Sequence, residues 1–124
     1  VITLDDVKRA LAPMKDAFPR ATHRPIVEVD TICCNEHASA RFSNGCAVGQ
    51  TTIYVTREVT REAVTPRGAL KTPLPIQFAM CSGDYYANEQ IGHAVCAALR
   101  KAGLPFVWSG HPGDCVLVLP IRES

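Results

Sequence analysis

No sign of charge dominates this chain: 13 Lys and Arg stand against 12 Asp and Glu, for a formal net charge of +1 at pH 7. A nucleic-acid backbone is held by a concentrated basic field, and the basic residues here are scattered, so no nucleic-acid partner is expected. No apolar run approaches the ~18–20 residues that cross a bilayer, and no membrane partner is expected either. The chain also lacks a glycine-rich phosphate loop, a paired-carboxylate motif and a hydrolase nucleophile signature. These gaps lean against an enzyme. The start, VITLDDVKRA, has the pattern of an amphipathic helix and not of a secretory signal.

Cysteine, by contrast, is plentiful, with six in 124 residues. An even count suits a disulfide framework in a secreted protein. Small disulfide scaffolds are poor in core, however, and this chain is 47% hydrophobic. Reduced cysteines in a cytoplasmic protein are therefore expected. The length suits one domain, residues 1–124, large enough for an ordinary hydrophobic core.

Residues 3–18 read as a helix capped by Thr3, with Asp6 in capping-box position and Leu4, Val7, Leu11, Met14 and Phe18 on one stripe. Pro13 predicts a kink or restart. Residues 26–32 and 51–56 alternate or are β-branched as strands are, with Val27 and Val29 inward. A short strand at Ala40–Phe42 and a turn at Asn44-Gly45 are expected between them. Residues 57–73 read as a long exposed connection with a helical turn around Arg57–Ala63. A strand follows at Pro75–Cys81, then a helix at about 88–102 ended by Gly103 in a left-handed conformation. Two strands, Pro105–Ser109 and Cys115–Pro120, flank an HPGD turn of type II character. The unalternating run CVLVLP predicts a strand buried on both faces. The pattern implies an α+β domain: a mainly antiparallel sheet of about five strands, with two principal helices packed on one face.

The stretch ICCNEH, residues 32–37, carries the densest chemistry. Cys34 and His37 are spaced C-x-x-H and Cys33 adds a second sulfur. Zinc takes thiolate and imidazole ligands in sets of four. Cys46 is the expected fourth ligand, and Cys81 its alternative. Three other readings stand beside zinc. Cys33 and Cys34 can simply end a strand, one packed inward and one half exposed, with His37 solvated. Either cysteine paired with His37 can be a reactive thiol. The two adjacent cysteines can also close a vicinal disulfide. His23, His93 and His111 read as solvated histidines.

Two stretches together, TICCNEHASARFSNGCAVGQTTIYVTREVT and NEQIGHAVCAALRKAGLPFVWSGHPGDCVLVLP, resemble a family of uncharacterised bacterial proteins. The family pattern has a double cysteine followed by a third, then a glycine-bearing stretch and a strand with an aromatic residue; its C-terminal unit has a glycine in the helix, then AALRKAGL, a tryptophan, a glycine turn and a last strand. The resemblance implies a bacterial fold and no assigned activity. His37 stands where the family pattern has its third cysteine, an exchange compatible with zinc. The expected function is that of a small non-catalytic binding protein with an unidentified protein partner: an accessory, inhibitor or immunity protein. The alternatives are a zinc-binding domain using Cys33, Cys34, His37 and Cys46, and a thiol enzyme.

Overall fold

The computed structural model describes residues 1–18, 24–34, 36–37 and 47–121. Helix α1 (Leu4–Leu11) begins at Thr3, whose hydroxyl accepts from the Asp6 backbone while the Asp6 carboxylate accepts from the Thr3 N–H. Both halves of the capping box are thus made. Pro13 does what its ring dictates: the α-helix stops and a 3-10 turn, Ala12–Asp16, continues the chain. Val7, Leu11 and Met14 are buried, with Leu4 and Phe18 packed against the core.

The sheet has five strands: β1 (Ile26–Val29), β2 (Thr51–Val55), β3 (Leu74–Met80), β4 (Phe106–Val107) and β5 (Val116–Val118), in the order β1-β2-β3-β5-β4. All neighbours are antiparallel except β1 and β2, which run parallel with Ile26 opposite Thr52. Helix α2 (Arg57–Ala63) follows β2, and helix α3 (Tyr85–Lys101) follows β3. The inner face of the sheet presents Ile53, Val55, Leu74, Ile76, Phe78, Val116 and Val118. These join Val7 and Leu11 of α1 and Ile91, Val95 and Leu99 of α3 in one core. The domain is therefore α+β with a mainly antiparallel sheet. No helix among the described residues is long and apolar enough to cross a membrane.

Several local expectations need correction. Residues 57–73 are not a long exposed connection. Thr56 caps a seven-residue helix through Val59 N–H, and Thr60, Ala63 and Leu70 are buried. Beyond α2 the chain doubles back, bridging Val64 to Leu70, and ties to the N-terminal segment through Leu4 N–H to the Gly68 carbonyl and Leu70 N–H to that of Ile2. Helix α3 starts at Tyr85, earlier than expected, because Asp84 caps it through Ala87 N–H. The terminal strands are shorter than predicted, and β5 alternates: Val116 and Val118 are buried, but Leu117 is half-buried. The HPGD turn closes through Asp114 N–H to the His111 carbonyl, yet Gly113 is not at positive φ, so it is not type II. The left-handed glycines near this end are Gly110 and, as expected of a helix cap, Gly103 at φ 73°. The expected strand at 40–42 and the turn at 44–45 lie outside the described residues.

Candidate metal centre

Strand β1 stops at Asp30 because the backbone there turns left-handed, with φ 62°. Aspartate tolerates this region better than most residues. Here its carboxylate also accepts from the Thr60 hydroxyl at 2.7 Å and its carbonyl accepts from Arg57 Nε at 3.1 Å. The strand predicted to reach residue 32 therefore ends three residues early, and residues 31–34 form a turn. Two backbone bonds hold that turn on the start of α2: Arg57 N–H donates to the Ile32 carbonyl at 2.8 Å and Glu58 N–H to that of Cys33 at 3.0 Å. Ile32, not a cysteine, takes the inward position and is 5% exposed.

Consequently neither sulfur is core filler: Cys33 is exposed and Cys34 half-buried. In an extended strand, adjacent side chains point to opposite faces. Off the strand they need not, and the two sulfurs converge. Glu36 and His37 have helical backbone, and the His37 ring meets the two sulfurs. The Cys33 and Cys34 Sγ atoms and a ring nitrogen of His37 all lie within 4.8 Å of one another, the one such group of three among the described residues. Around tetrahedral zinc, with Zn–S near ~2.3 Å and Zn–N near ~2.0–2.1 Å, ligand atoms stand roughly 3.5–3.8 Å apart. A contraction of about 1 Å therefore suffices to close all three on one ion.

Of the four ligands expected from the sequence, the fold brings together Cys33, Cys34 and His37; Cys46 lies outside the described residues. Cys81 is excluded as the alternative fourth ligand. Its backbone pairs with Gln50 and Gly49, before the start of β2, while the Cys33 turn is fastened beyond the end of that strand. The length of β2 alone, about 16 Å, lies between them. The remaining described thiols suit a packing role. Burial pushes the Cys96 thiol up, against the opposing pull of Arg100. Burial also raises Cys115, with a hydrogen bond from Gln77 opposing it and the Asp114 charge adding to it. Both are neutral at ordinary pH and poor nucleophiles.

Sequence reasoning missed the residues that build the site from outside it: Asp30, Arg57 and Thr60. The signal that could have found them was Thr56 followed by REVTREA, a cap and a helix start that would place Arg57 and Glu58 N–H groups beside the strand end. His93 is exposed as expected, but its ring meets Trp108 edge-on at 5.1 Å and its Nε2 lies 3.5 Å from Glu89. His111 is fixed by its own turn, Nδ1 accepting from Gly113 N–H at 2.9 Å. His23 lies outside the described residues. No family model, no curated protein and no solved structure matches the chain.

Proposed function

We propose that this chain is a zinc-binding domain in which Cys33, Cys34 and His37 supply three ligands and Cys46 the fourth. The observation that supports it is the convergence of two sulfurs and an imidazole nitrogen within 4.8 Å on a turn already pinned by backbone bonds. Two thiolates and one imidazole form a soft, borderline set that suits zinc better than calcium or magnesium. Metal bound there would clamp the turn after β1 to the segment carrying His37, a structural or sensing role. The reading keeps the chain among small non-catalytic binding proteins with a protein partner, in a reducing compartment such as the cytoplasm, where thiolates stay available.

The test is elemental analysis of protein purified without chelator, followed by cobalt substitution and thermal melts with and without chelator. Near-stoichiometric zinc is expected, with a tetrahedral thiolate spectrum for cobalt. Chelation should lower the melting temperature, because binding free energy adds to folding free energy. His37→Ala and Cys46→Ser should each weaken zinc binding. Protein without metal that melts identically in chelator and in added zinc sinks the proposal.

A further inference from the structure

An open groove of about 720 Å³ lies beside α2, and its charged lining is mostly cationic: Arg57, Arg61 and Lys71, with Asp30 the single acid and Thr60 and Thr65 the neutral polar residues. Two of the cations come from one helix at i and i+4, so they share a face. The third is delivered by the doubled-back chain, where Lys71 N–H donates to the Ala63 carbonyl at 2.7 Å. The ion pairs among the described residues are Arg9–Asp6, Arg24–Asp16 and His93–Glu89, and none of the three groove cations joins them. Arg57 is already oriented, its Nε donating to the Asp30 carbonyl, which leaves its terminal guanidinium nitrogens for another acceptor. The Asp30 carboxylate is engaged by the buried Thr60 hydroxyl. Leu4, Val64 and Pro66 form an apolar wall to the same groove.

Three cations against one carboxylate leave two positive charges uncompensated. Like-charged side chains are gathered here, and none of the three is held in an ion pair among the described residues. A guanidinium presents paired N–H donors that match a tetrahedral oxyanion, and an ammonium adds a point charge. A phosphate monoester carries about −1.5 to −2 charge near neutrality, which matches the excess. We propose that this groove binds a phosphate monoester, its phosphate held by Arg57, Arg61 and Lys71 and its organic body resting on Leu4, Val64 and Pro66. The phosphate belongs either to a free small molecule or to a phosphorylated side chain of a protein partner. The chemistry at the groove is the same.

The experiment is a titration of the isotopically labelled full chain, followed by amide chemical shifts, with inorganic phosphate, phenyl phosphate and a phosphoserine peptide. Shifts should concentrate at residues 57–64 and 68–71, and phenyl phosphate should bind more tightly than inorganic phosphate. Added salt should weaken all three, since the cations are exposed. Arg61→Glu with Lys71→Glu should weaken phenyl phosphate by about tenfold or more, because two charge-assisted contacts become repulsive. Both side chains are exposed and neither makes a hydrogen bond or ion pair among the described residues, so the melting temperature should hold. If that pair fails to fold, Arg61→Gln and Lys71→Gln taken singly serve instead, each with a smaller loss. A peptide that binds more tightly than phenyl phosphate assigns the groove to a phosphorylated protein; the reverse order assigns it to a small molecule. Shifts scattered over Lys8, Lys15 and Lys101, or affinity unchanged in the charge variants, overturn the proposal.

Discussion

Gly92 shows how much can depend on one missing atom. It is buried in α3 facing the sheet, and a Cβ built there meets the Trp108 ring and comes within 2.9 Å of Phe78 Cζ. Two effects oppose each other in Gly92→Ala. Alanine raises helix propensity by about 1 kcal/mol. Overpacking costs about 1–3 kcal/mol, and more when the neighbour cannot move. Trp108 is not free to move: its indole N–H donates to both the His111 and the Asp114 carbonyls. Overpacking therefore wins. Gly92→Ala should lower the urea midpoint by the equivalent of about 1–2 kcal/mol, whereas a midpoint raised by helix propensity alone would contradict the contact.

At the scale of elements, the capping box of α1 separates two contributions. The Thr3 N–H, then the Arg9 guanidinium, hold the Asp6 carboxyl below its ordinary 3.8. A carboxylate lowered on folding adds stability that is present above its unfolded value and lost as pH falls through its folded one. Thr3→Ala removes a hydroxyl, not an N–H. It should cost about 1 kcal/mol at neutral pH and trim the acid limb of the stability curve only slightly, since the Thr3 hydroxyl is a lesser cause of the lowered carboxyl than the Thr3 N–H and Arg9, while Asp6→Asn should remove the Asp6 share of that limb. Denaturant melts from pH 2 to pH 7 check both. The start of α1 was legible in the sequence because capping is local, as was the Gly103 end of α3. Helix α2 was less so: REVTREA has no long apolar stripe, and its burial comes from packing on β3. The parallel pairing of β1 with β2 was not legible at all, since strand propensity does not reveal direction.

Across the whole molecule, the register puts both candidate sites at one end. Val29 pairs with Val55, and the Cys33 turn and α2 follow those residues; Lys71 lies just before Leu74 at the same end of β3. The cysteine–histidine cluster was readable because its spacing is short. The groove was not, because Lys71 reaches Arg57 and Arg61 only through the Val64–Leu70 bridge. Both ends rest on one core, and Leu99, fully buried in α3, is central to it. Leu99→Ala should destabilise the fold by about 2–5 kcal/mol, and an unchanged denaturation midpoint would show that α3 does not pack as described. Trp108, which follows β4 and packs edge-on against Phe78 at 5.9 Å, sits at the other end of the sheet. It is the chain's sole tryptophan. The protein thus carries its own optical gauge: indole emission reports on closure of the α3–sheet interface, at a remove from the turn where metal would load. Fluorescence can therefore follow unfolding through a zinc titration without the probe touching the site it is used to judge.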